Sequence, residues 1–173
     1  AWYENDGSEN FTAHPITTSA DGATSVYAAD VDGDGDADVL SASIFDNTIA
    51  WHENDGSENF TTHKITTTAD VACIVHAADV DGDGDLDVLS ASYRDDTIAW
   101  YENDGSENFT AHPITTSADR ALSVYAADVD SDGDMDVLSA SQYDDTIAWY
   151  ENDGSENFTT HKITTSADGA RSV

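Results

Sequence analysis

The sequence predicts an all-β propeller made of near-identical four-stranded blades, about three and a half of them in 173 residues. Two observations carry this. The text that begins at Ala1 restarts at Ala50, Ala99 and Ala148, a period of 49 held without insertion. Within each period, four short runs rich in β-branched and aromatic residues alternate with Asp, Gly, Asn and Ser, and none shows twelve residues of helical periodicity. Four short strands repeated every 40 to 50 residues is the pattern of a propeller blade.

In chain order, residues 2–18 read as a half blade, the outer strands C and D of a unit. In the first full blade, "SVYAADV" (25–31) is the inner strand A and "DVLSAS" (38–43) is B. "NTIAWHEN" (47–54) is C and "FTTHKITTTA" (60–69) is D. The blades then span 25–69, 74–118 and 123–167, and 168–173 starts another. Apolar residues occur on both faces of these strands, as expected when each sheet is covered by its neighbours. Pro15 and Pro113 fall in strand D, where a missing N–H costs little because the strand is outermost. Trp2, Trp51, Trp100 and Trp149 recur on strand C and are expected between blades. His14, His63, His112 and His161 recur on strand D, a placement that fits packing better than catalysis.

The loop between strands A and B carries the chemistry. Asp30, Asp32, Asp34 and Asp38 stand at positions 1, 3, 5 and 9 of D-x-D-x-D-G-x-x-D, with Gly35 at position 6 for the sharp turn. Asp36 at position 7 would contribute its backbone carbonyl. Alternate carboxylates on a tight turn converge on a hard cation that takes six to eight oxygens, which favours Ca²⁺ over the smaller Mg²⁺. The second loop repeats the set with Asp79, Asp81, Asp83, Asp85 and Asp87, and the third with Asp128, Asp130, Asp132, Asp134 and Asp136. Three Ca²⁺ per chain are expected, with affinities of the order of 10⁻⁴ to 10⁻³ M if the loops behave as extracellular modules do.

At these residues the chain resembles a known family. "DVDGDGDLDVLSAS" followed by "TIAWYENDGSENFTAHPIT" is similar to the FG-GAP/VCBS repeats of integrin-like β-propellers over the whole chain. The resemblance implies calcium in the A–B loops of a propeller, often seven-bladed. It also implies an extracellular or cell-surface location, with any leader outside this sequence, and a role in adhesion or lectin-like sugar binding.

Composition narrows the partners. With 36 acidic and 5 basic side chains the formal charge is −31, which argues against nucleic acid. Three divalent ions would bring it to about −25, a surface suited to high salt. No apolar run is long enough for a membrane span. Cys73 stands alone, so no internal disulfide forms.

Because the copies are nearly identical, their differences are informative. They concentrate in the B–C loop, "IFDN", "YRDD" and "QYDD" from Ile44, Tyr93 and Gln142. The D–A connector varies too, "DGAT", "DVAC", "DRAL" and "DGAR" from Asp21, Asp70, Asp119 and Asp168. In an antiparallel blade both connections lie at one end, opposite the A–B loops. Arginine and aromatic residues on loops held by a rigid scaffold suit recognition. Ile44, Phe45, Tyr93, Arg94, Arg120, Gln142 and Tyr143 are therefore the candidate contacts for a glycan or protein ligand. Drift of unconstrained loop tips is the plain alternative. "NFT" at Asn10, Asn59, Asn108 and Asn157 matches the N-glycosylation pattern, which matters only in a eukaryotic secretory host.

The leading functional expectation is a non-catalytic binding module. A designed or recently amplified self-assembling scaffold without a ligand is the alternative, and a calcium-dependent hydrolase or lyase a minor one. Three full blades do not close a ring, so either the chain is part of something longer or copies associate, and a homo-oligomeric ring is the expectation. Two chains of 14 strands would supply 28, as in seven four-stranded blades, although both half blades are C–D pairs and do not obviously complete each other.

Overall fold

A computed structural model describes residues 1–173, and it is all β with no helix. Strands β1 (Trp2–Asn5) and β2 (Phe11–His14) form a two-stranded antiparallel piece. Three four-stranded antiparallel sheets follow. Blade 1 is β3 (Ala23–Ala29), β4 (Asp38–Ser43), β5 (Thr48–Asn54) and β6 (Phe60–Thr66). Blade 2 is β7 (Ala72–Ala78), β8 (Asp87–Ser92), β9 (Thr97–Asn103) and β10 (Phe109–Thr115). Blade 3 is β11 (Ala121–Ala127), β12 (Asp136–Ser141), β13 (Thr146–Asn152) and β14 (Phe158–Thr164). In each sheet the strands pair in sequence order, so the A-to-D meander holds.

Boundaries differ from the expectation at strands A and D. Strand A begins two residues earlier, at Ala23 rather than Ser25, and stops at Ala29 because Asp30 already belongs to the acidic turn. Strand D ends at Thr66, where the Thr66 hydroxyl accepts the Thr68 N–H at 3.2 Å and turns the chain. Pro113 stays within its strand, at the register shift between Pro113 and Thr115, on the outer edge where its missing donor is harmless. Residues 168–173 form no strand.

The core lies between the blades rather than inside one sheet. One cluster joins Leu40, Ile49 and Trp51 of blade 1 to Val75, Val88 and Tyr101 of blade 2. Its repeat joins Leu89, Ile98 and Trp100 to Val124, Val137 and Tyr150. Each central Trp meets a Phe of the next blade edge-on, Trp51 with Phe109 at 6.5 Å and Trp100 with Phe158 at 6.4 Å. Sheet faces that are both covered explain why apolar residues do not simply alternate along these strands.

Polar bonds fix the stacking. The Thr24 hydroxyl donates to the Ala72 carbonyl at 3.0 Å, and Val75 N–H donates to Ser25 Oγ at 3.3 Å. Asn103 Nδ2 reaches back a full blade to the Val31 carbonyl, and Asn152 Nδ2 likewise to Val80. On the outer strands each recurrent His stacks on its Trp, as His63 does on Trp51 at 4.7 Å, and bonds a Glu of strand C, as His63 does with Glu53 at 2.8 Å. Their repetition and these contacts assign the histidines to packing.

Candidate functional site: acidic loops and the opposite face

The acidic loops take their shape from backbone constraints. Position 6 needs a left-handed turn, and Gly35, Gly84 and Gly133 adopt φ of 97°, 100° and 105°, which favours a residue without Cβ. The carboxylate at position 1 accepts this glycine's N–H in every copy, for example Gly35 to Asp30 at 3.0 Å. Position 9 opens strand B and is fully buried. Asp38 accepts Val31 N–H at 3.0 Å and Asn54 N–H at 2.7 Å, so it ties the loop to strand C. Asp87 and Asp136 do the same with Val80 and Asn103, and with Val129 and Asn152.

Positions 1, 3 and 9 converge. Ligand oxygens of Asp30, Asp32 and Asp38 lie within 4.8 Å of one another, as do those of Asp79, Asp81 and Asp87 and those of Asp128, Asp130 and Asp136. Asp34, Asp83 and Asp132 at position 5 stand outside these clusters. Each instead accepts the N–H of position 7, at 2.8 to 2.9 Å. The side chains of Asp36, Asp85 and Asp134 turn to the neighbouring C–D turn and lie against Gly56, Gly105 and Gly154, where a Cβ would sit.

The electrostatics are those of anions crowded together. Burial pushes Asp87 up to about 6, although two N–H groups bond it. Desolvation, with repulsion from neighbouring carboxylates, also holds Asp32, Asp81 and Asp130 above the ordinary range. Asp30 Oδ1 is buried with no hydrogen-bond partner, a costly state for a carboxylate oxygen unless a cation takes it. Three converging carboxylates per loop, with an orphan oxygen on Asp30 in the first, fit a hard divalent cation.

At the other end of the blades, the B–C turns and D–A connectors are joined. Ile44 and Phe45 N–H bond the Gly22 and Asp21 carbonyls, and Tyr93 with Arg94, then Gln142 with Tyr143, repeat this one and two blades on. A second link crosses each seam. Asn47 Oδ1 accepts Val71 N–H at 3.0 Å, Asp96 accepts Arg120 N–H at 2.9 Å and Asp145 accepts Gly169 N–H at 2.9 Å. The connector residue is left-handed in all copies, with Gly at 22 and 169. Arg120 holds φ 57°, and the β-branched Val71 holds 59°, a strained conformation for that side chain.

All seven candidate contacts lie on these linked turns. Tyr93, Arg120, Gln142 and Tyr143 come together at the seam of blades 2 and 3. There the Arg120 guanidinium lies 4.7 Å from the Tyr93 ring centroid and 3.9 Å from that of Tyr143. Arg120 Nη1 donates to Tyr93 Oη at 2.6 Å, and Tyr93 Oη reaches Gln142 Oε1 at 3.4 Å. Ile44, Phe45, Tyr93 and Arg94 instead line a cleft of about 380 Å³ at the seam of blades 1 and 2. Asn47, Asp70 and Val71 complete it and were not among the expected contacts. Two of them were marked by the repeat differences, Asn47 standing where copies 2 and 3 have Asp96 and Asp145 and Val71 where other copies have Gly or Arg, whereas Asp70 is Asp in every copy and carried no such signal.

Blades that stack through shared seams, with an acidic loop at every A–B turn, define a repeat protein of propeller type. The FG-GAP-like repeat model matches residues 1–41, 41–90, 79–139 and 128–173, and the chain belongs to that family. Comparison with curated proteins gives no match.

Proposed function

We propose that the chain is a calcium-stabilised, non-catalytic recognition module of an extracellular or cell-surface protein. Its acidic loops hold one Ca²⁺ each, and its B–C and D–A face takes a glycan or protein ligand. The observation that carries this reading is the placement of the repeat differences. In an otherwise near-identical array, the aromatic and arginine substitutions sit on hydrogen-bonded turns at one end of the blades, away from the ion loops. Asp30, Asp32 and Asp38 and their repeats would hold the ion, which supplies charge neutralisation and rigidity. A glycan and protein array probed with calcium-loaded chain tests it. Signal abolished by substitutions at Phe45, Tyr93 or Arg94 is expected; uniform silence overturns it.

A second reading, self-association into a ring, is favoured by one comparison. Val26 of β3 is 70% exposed, whereas its repeats Val75 and Val124 are 2% exposed beneath the preceding blade, so β3 offers an apolar face that a blade of a second copy or of a longer chain would cover. Native mass spectrometry in calcium would show a defined oligomer, most simply a dimer; a Val26→Ser variant that associates equally well refutes the role of this face.

A further inference from the structure

The seams on the recognition face are not equivalent. At the seam of blades 2 and 3 the space is filled by Arg120, stacked between Tyr93 and Tyr143. At the N-terminal seam Phe45 closes over Gly22, its ring carbon lying 2.7 Å from where a Cβ would be. At the seam of blades 1 and 2 the plug is missing, because Val71 stands where Arg120 does, and the cleft of about 380 Å³ is left open. That volume is in the range of small-ligand sites.

Two further departures from the repeat fall in this same cleft. Position 47 is Asn, where Asp96 and Asp145 occupy the other copies, so a carboxylate has become an amide. Asn47 Oδ1 is taken by Val71 N–H, which leaves Nδ2 as a free donor. Arg94 stands where Phe45 and Tyr143 do in the other copies. It is exposed, and its guanidinium makes no ion pair or side-chain hydrogen bond, although acids outnumber bases 36 to 5 in this chain. Both changes replace an acceptor or neutral ring with a donor. Asp70 is the one acid lining the cleft, and an Asp occupies its position in every copy. The walls are apolar, from Ile44, Val71 and a Phe45 ring that is 72% exposed.

Resting on the reading of this face as a recognition surface, we propose that the cleft binds the carboxylate-bearing pyranose of a glycan, a uronic acid residue. Arg94 receives the carboxylate, for which its planar fork is the matched donor. Asn47 Nδ2 adds a donor, and Phe45 offers a flat ring to the C–H face of the sugar. That flat ring in an open cleft favours a sugar over an acidic peptide. The net charge of −31 repels long polyanions, so one uronate within a mostly neutral chain is the matched ligand.

The test is NMR titration of the calcium-loaded full chain with methyl glucuronide, methyl glucoside and an N-acetylglutamate amide. The glucuronide is expected to bind about ten-fold or more tightly than the glucoside, as loss of a charge-assisted contact requires, and more tightly than the glutamate probe, which keeps a carboxylate but has no pyranose face for Phe45. Arg94→Gln should remove that preference and Asn47→Asp should weaken it, whereas Lys162→Gln, exposed on the outer strand of blade 3, should leave the glucuronide affinity unchanged. Arg94 is exposed, so its variant keeps the fold, checked by an unchanged melting curve. Equal binding of the glucoside, equal binding of the glutamate probe, or insensitivity to Arg94→Gln overturns the proposal. If neutral glycosides bind through Phe45 and Tyr93, the recognition reading survives without it; if the full array is also silent, both fall.

Discussion

The contact between the acidic loop and the neighbouring C–D turn can be measured by a double-mutant cycle at Gly105 and Asp85. Gly105 is left-handed at φ 69°, and the Asp85 carboxylate lies where its Cβ would project. In Gly105→Ala the left-handed conformation costs about 1–2 kcal/mol. Pushing Asp85 off its rotamer costs about 0.5–1.5 kcal/mol more. The sum, about 1.5–3.5 kcal/mol, corresponds to a drop in Tm of about 3–14 °C for a chain of this size. Asp85→Ala alone removes a carboxylate with no hydrogen-bond partner and should fall within about 0.5 kcal/mol of wild type. The double variant then recovers the rotamer component, a coupling of about 1 kcal/mol. Thermal and urea unfolding in saturating calcium provide the four stabilities. Strict additivity, with a coupling under about 0.3 kcal/mol, would refute the claim that the position 7 carboxylate dictates glycine in the C–D turn.

Other predictions concern ions, pH and strain. Chelation should lower Tm and Ca²⁺ restore it, and Asp87→Ala should cost about 2–5 kcal/mol by leaving the buried Val80 and Asn103 N–H groups unpaired, as unfolding curves would show. Burial pushes the His52 imidazole below its usual range. The unfolded chain therefore takes up the proton first, so the stability tied to neutral His52 is complete above about pH 6.5 and is lost as pH falls below it. His52→Tyr, which supplies the phenol that Tyr101 and Tyr150 place on Ser90 and Ser139, should flatten this part of the Tm profile between pH 7.5 and 5.5. Val71→Gly should raise stability by about 0.5–1 kcal/mol, the left-handed strain relieved less the added chain entropy; a lower Tm would show that the Val71 methyl groups matter more to packing.

The period of 49 and the Asp spacing make the blades and the acidic loops legible in the sequence. Repetition multiplies a weak strand signal, and a carboxylate pattern with glycine at position 6 has few other uses. Strand limits were less visible, since Ala23 carries little β preference and, with Thr24, directly follows the Gly22 turn. They are extended because Thr24 bonds the Ala72 carbonyl of the next blade, a contact no local pattern encodes. The division of labour among the aspartates was hidden for a related reason. Position 5 and position 1 look alike in sequence, and only the fold shows which carboxylate joins the cluster and which accepts the N–H of position 7. On the opposite face, the variable residues were visible by comparing copies. That Arg120 fills its own seam while Val71 leaves one open depends on stacking across 27 and 23 residues of chain, which side-chain identity alone does not reveal.

The bonds between blades carry an implication for how such a gene can change. Val75 N–H meets Ser25 Oγ at 3.3 Å, and Val173 N–H meets Ser123 Oγ at the same distance, each pair 50 residues apart. Offsets rather than addresses specify these seams: between blades 2 and 3, where Ile74 replaces the serine, Asn152 Nδ2 still reaches the Val80 carbonyl as Asn103 Nδ2 reaches Val31, each 72 residues away. Slippage that inserts or deletes 49 codons in frame joins one blade to another through contacts already present, wherever it occurs. Array length can therefore vary in whole blades with little disturbance to folding, while each new copy remains free to acquire its own turn residues.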